Sequence, residues 1–128
     1  MSMTHQFQGV SDSEYEQLKS AVSLITVLIA GADGQIDQKE KDWAKKVAKI
    51  RSYSLPGGLK EFYLEVREDF EERLDQLVEK YTGDVDTRNR QISEELSKLN
   101  VILPKIRNKE AAAALYDSYV SFAKHVAR

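Results

Sequence analysis

The chain has 128 residues, 41% hydrophobic and 31% charged, a balance that fits one folded domain with one core and excludes a disordered chain. Its 19 basic and 21 acidic residues leave a net charge of −2, too weak a field to bind nucleic acid by charge alone. With no cysteine, disulfides, thiolate chemistry and cysteine-based zinc sites are excluded.

Residues 1–10 read as a flexible tail. Met1 to His5 has no basic stretch followed by an apolar one, so it is not a secretion signal, and the expected location is the cytoplasm. No stretch alternates apolar and polar residues for long enough to make a strand. The expectation is an all-α, single-domain bundle of about five principal helices.

The first helix is predicted from Ser11 to about Ala30. Ser11 and Glu14 have the spacing of a capping box, in which each satisfies a free amide of the first turn. Its second half (Val22, Leu24, Ile25, Val27, Leu28, Ile29) is apolar nearly all round, which places it at the centre of the bundle. The apolar run from Ala21 to Ala32 is shorter than the about 20 residues a membrane span needs.

The second helix is predicted from about Asp37 to Arg51, with Trp43, Ala44, Val47, Ala48 and Ile50 facing inward. Lys39, Lys41, Lys45, Lys46, Lys49 and Arg51 read as its solvated face. The break at Ser54 to Gly58 follows from Pro56, which lacks an amide donor, and from the two glycines.

A long third helix is predicted from Leu59 to Tyr81 on the stripe Phe62, Tyr63, Val66, Phe70, Leu74, Leu77, Val78 and Tyr81. Its acids (Glu61, Glu65, Glu68, Glu71, Glu72, Asp75) read as a solubilising face, and Gly83 as a left-handed stop. The fourth helix is predicted from about Asp86 to Leu103 on Ile92, Leu96, Leu99 and Leu103, with Pro104 loosening or ending it. The fifth runs from Asn108, a good cap, to Val126, with Leu115, Tyr119, Phe122 and Val126 on one face. The two histidines, His5 and His125, lie at opposite ends of the chain and suggest neither a metal pair nor a catalytic triad.

One segment could carry chemistry. Ala32-Asp33-Gly34-Gln35-Ile36-Asp37-Gln38-Lys39-Glu40 joins the apolar first helix to the second and sets three carboxylates within eight residues. Laid on a calcium-binding EF-hand loop, Asp33, Gly34, Ile36, Asp37 and Glu40 match its second half. The first half fails, because Ile29 and Gly31 stand where oxygen ligands are needed, so an ordinary EF-hand is rejected. Two readings stay open. In one, Asp37 and Glu40 form a capping box beside a Gly34 turn. In the other, Asp33, Asp37 and Glu40 are oxygen ligands for a hard divalent cation, calcium or magnesium.

The same segment, an apolar helix followed by Ala-Asp-Gly-x-Ile-Asp-x-x-Glu and an amphipathic helix, resembles the TerB-like family of tellurite-resistance proteins. The resemblance covers Val22 to Val47 and extends more loosely over Leu96 to Ala127. It implies an all-helical bundle of two similar halves, each with an acidic turn, in a tellurite- or stress-resistance setting. It also implies divalent metal binding at those acids, and no catalytic residue set comes with it. When His125-Val126-Ala127 is laid over Leu28-Ile29-Ala30, the second acidic turn falls beyond Arg128. Either the second acidic turn is lost or the sequence is shortened; the expectation is a bundle lacking the last part of its second half, with exposed apolar surface covered by a protein partner or a second copy.

The function expected is a non-enzymatic TerB-like domain that binds a divalent cation, a protein, or both. The alternatives are a metal-dependent hydrolase, which would gather Asp33 with acids such as Glu110 or Asp117, and a helical interaction module with no ligand, using Tyr116 or Tyr119.

Overall fold

The computed structural model describes residues 8–30, 38–54, 58–81 and 83–126, with side chains described there except at residues 30, 48, 50–60 and 125–126. Among the described residues every regular element is helical. In chain order these are α1 (Asp12–Ala30), α2 (Gln38–Ser54), α3 (Gly58–Glu68), α4 (Phe70–Lys80), α5 (Val85–Ser97), α6 (Leu99–Ile102), a 3-10 turn η1 (Leu103–Lys105) and α7 (Lys109–Val126).

The central helix is α1, as its sequence demands. Every residue from Ala21 to Val27 is buried, and α3, α4, α5 and α7 all pack on it. Full burial of one large apolar side chain contributes roughly 1.5–3 kcal/mol, so this continuous stretch accounts for much of the driving force. Thr26 is carried into the core by donating its hydroxyl to the Val22 carbonyl at 3.0 Å. The predicted capping box forms in both directions: the Ser11 amide donates to Glu14 Oε1 at 2.9 Å, and the Glu14 amide to Ser11 Oγ at 3.1 Å.

Residues 8–10 are docked rather than part of a tail. The Arg107 amide donates to the Gln8 carbonyl at 2.8 Å, and Val10 is buried. Between them Gly9 sits at φ +105°, where a Cβ would lie 2.0 Å from the Lys105 carbonyl oxygen, so only glycine fits.

The long third helix is two helices. The chain turns at Asp69 (φ −132°, ψ 23°) without losing the buried stripe, since Phe62, Tyr63 and Val66 on α3 and Phe70 and Leu74 on α4 all face the core. The turn lets α3 lie mainly along α2 while α4 lies along α1, which one straight rod would not do. Gly83 does not take a left-handed conformation. The end of α4 is made by Tyr81, whose amide donates to the Leu77 carbonyl.

The predicted fourth helix is also interrupted. Asp84 caps α5 by accepting from the Thr87 amide at 2.8 Å. At the far end Ser97 Oγ donates to the Glu94 carbonyl, and the Lys98 amide turns back to the Glu95 carbonyl three residues before it, at 3.2 Å. The break rotates the helix, so Ile102 and Ile106 enter the core while Leu96, Leu99 and Leu103 are only half-buried. The last helix starts as expected, with Asn108 Oδ1 accepting from the amides of Glu110 and Ala111. Leu115, Tyr119 and Phe122 are its buried face. On α2, Ala44 and Val47 are buried but Trp43 is 38% exposed, so the indole is not the core anchor its position in the stripe suggested.

Candidate functional site

The acidic segment falls between the first two helices in sequence. α1 ends at Ala30 and α2 begins at Gln38. Two of the three proposed ligands, Asp33 and Asp37, lie outside the described residues. The third, Glu40, sits in the first turn of α2, where the helix dipole favours a carboxylate. It is half-buried and already makes contacts within the chain. Among the described residues no three His, Asp or Glu side chains gather as a metal site.

The acids that the alternative hydrolase reading would add are not drawn inward. Glu110 and Asp117 are both exposed on α7. Of the two tyrosines on that helix, Tyr116 is 56% exposed whereas Tyr119 is buried and donates its hydroxyl to the Leu18 carbonyl of α1 at 2.7 Å. Burial pushes the Tyr119 phenol well above its ordinary value, which holds it as a donor.

Among the described residues, two charged seams join helices. The first runs along α1. Arg73 reaches back from α4 to Glu16, to Ser20 Oγ at 2.7 Å and to its own helix neighbour Asp69 at 2.9 Å. Burial works to raise the Glu16 carboxyl, but the hydrogen bonds from Arg73 and Lys19 outweigh it and hold the group below its usual range. Lys19 bridges Glu16 (2.9 Å) and Glu65 (3.7 Å), and Glu65 also accepts the Tyr15 hydroxyl at 2.9 Å. Burial first, and the Glu65 carboxylate second, push the Tyr15 phenol far up, so it stays protonated and serves as a donor.

The second seam joins α2 to α4. Lys41 pairs with Asp75 and Lys45 with Glu71, each at 2.8 Å. The basic face of α2 and the acidic face of the third predicted helix each read as solvated in the sequence, yet at these four residues they meet. Which face meets which depends on helix packing, and no local pattern shows it. Arg73 reads as part of the same outer face, yet it turns back onto α1; Asp69 four residues before it is the local sign of its pairing.

Glu16 and Glu65 are paired with lysine or arginine, and Tyr15 and Tyr119 act as donors. These groups tie helices together. Among the described residues no helix is long and apolar enough to cross a membrane. Comparison with family models, with curated proteins and with solved structures finds no match to this chain.

Proposed function

We propose that this chain is a non-enzymatic helical domain of the TerB-like kind, working in a tellurite- or stress-resistance setting in the cytoplasm. Its acidic turn between α1 and α2 takes a hard divalent cation, calcium or magnesium, through Asp33, Asp37 and Glu40. One observation carries the reading: α1, which precedes the acidic segment, is buried throughout Ala21 to Val27, and α2, which follows it, holds Glu40 half-buried in its first turn. Ligands set on rigid flanks lose less entropy when they close on an ion, so even a site completed by water can bind. The exposure of Glu110 and Asp117 favours binding over hydrolysis, because the further carboxylates a catalytic metal centre would draw on stand in water.

The test is calorimetric titration of calcium and of magnesium into chelator-treated protein. The expected result is saturable heat for at least one ion, lost in Asp33→Ala and in Glu40→Gln while the helical circular dichroism stays unchanged. Equal heats in wild type and both variants overturn the cation reading.

A second reading, an interaction module without a ligand, is favoured by Tyr116 and Val120. They stand one turn apart on α7, 56% and 41% exposed. A mass in solution above that of one chain, reduced to one chain by Tyr116→Glu, would support it.

A further inference from the structure

The helices α4 and α5 follow each other in sequence and both pack on α1, yet they hardly touch one another. A groove of about 290 Å³ opens between them. Its floor is Leu24 of α1, and its walls are Leu77 of α4 and Leu96 and Leu99 of α5 and α6. These last three leucines are only half-buried, so the groove holds uncovered apolar surface.

The charges at its mouth are not equivalent. Glu16 is held by Arg73 and Lys19, and Glu95 pairs with Lys98 at 2.9 Å. Lys80 has no carboxylate partner among the described residues, and its ammonium rests over the Tyr81 ring at 5.3 Å. The Ser13 hydroxyl and the Gln17 amide, also at the mouth, make no side-chain hydrogen bond among the described residues.

From this juxtaposition we propose that the groove between α4 and α5 binds a single-chain amphiphile bearing one carboxylate, with its apolar chain on the leucines and its carboxylate on Lys80. The volume lies near the lower end for small-molecule sites, which suits one medium-length chain and is too small for a helix or a two-chain lipid. The charge pattern selects the head group. The acids at the mouth are already neutralised, so the uncompensated charge is the Lys80 cation, and the neutral donors of Ser13 and Gln17 can complete the carboxylate's hydrogen bonds. Its lining contains none of the proposed cation ligands, and it does not depend on the cation reading.

The probe is sodium decanoate, added below its micelle concentration to isotope-labelled protein and followed by amide and methyl chemical shifts. The expected result is saturable shifts centred on Leu24, Leu77, Leu96 and Leu99. Lys80→Glu should weaken binding by about tenfold or more, since a charge-assisted hydrogen bond is replaced by repulsion. Leu96→Trp, which fills the groove from an only half-buried position, should abolish the shifts while the circular dichroism is retained. Asp33→Ala should leave decanoate binding unchanged. Shifts that do not saturate, shifts spread over other faces, or equal affinity for decanoate and decyltrimethylammonium would each overturn the proposal.

Discussion

The two flanks of α1 are closed in different ways. Toward α3 and α7 the space is filled by rings. Tyr15 meets Phe62 edge-on with centroids 6.1 Å apart, and Phe62 meets Tyr63 at 5.3 Å. Two hydroxyls lock the rings to neighbouring helices: Tyr63 to Ser118 at 2.6 Å, and Tyr119 to the Leu18 carbonyl. Between α4 and α5 the facing residues are leucines, and they leave a groove. A helix that is apolar all round needs cover on every side, but the size and anchoring of the covering residues decide whether that cover is complete. Aromatic rings with a polar tip do both tasks, filling volume and fixing position.

The sharpest test of this contrast is a pair of truncations followed by urea unfolding. Phe62→Ala empties a site that is 1% exposed and should cost about 3–5 kcal/mol. Leu96→Ala, on the open flank, removes a side chain that is already half in water and should cost about 1 kcal/mol. Equal losses would break the comparison.

A smaller effect is expected from the hydroxyl anchors. Tyr63→Phe leaves the buried Ser118 Oγ without its ring partner and should cost about 1–3 kcal/mol, with little change in core volume. If Tyr63→Phe is neutral by the same unfolding assay, the anchor contributes nothing and ring packing alone closes that flank.

The smallest effect concerns the seam of Arg73 and Glu16. In the folded chain the Glu16 carboxyl lies below its ordinary value of 4.5. Its contribution is therefore present above about pH 4.5 and is lost as pH falls through the lower folded value. Glu16 is 53% exposed, so solvent screening limits the effect to less than about 1 kcal/mol. Glu16→Gln should lower the melting temperature slightly at pH 7, and the gap to wild type should close as the solution is acidified below pH 4.5. A gap that is constant with pH would mean the carboxylate's charge is not what matters.

Much of the fold is legible residue by residue. Ser11 with Glu14 and Asn108 with the following amides mark helix starts, because a cap is satisfied within three residues of itself. The apolar circumference of α1 announces its central place for the same local reason. The turns at Asp69 and Lys98 were not legible, since the apolar stripe runs through the first without a gap and the second swaps one apolar face for another. The indole of Trp43 has the spacing of a core residue and still meets water, because periodicity names a face and not the depth of its cover. Of the proposed cation ligands, their spacing around Gly34 is a sequence property, while their convergence depends on a turn whose Asp33 and Asp37 lie outside the described residues.

By itself the sequence determined that the chain is helical, where most of its helices start and which helix is innermost. Those features depend on hydrogen bonds and side-chain spacing within about four residues. Only the tertiary structure decided that two long helices bend, that lysines of α2 meet acids of α4, and that α4 and α5 stand apart over a groove. Contacts such as Tyr119 with Leu18, 101 residues apart, are set by how whole helices fit around α1, and no local rule contains that information.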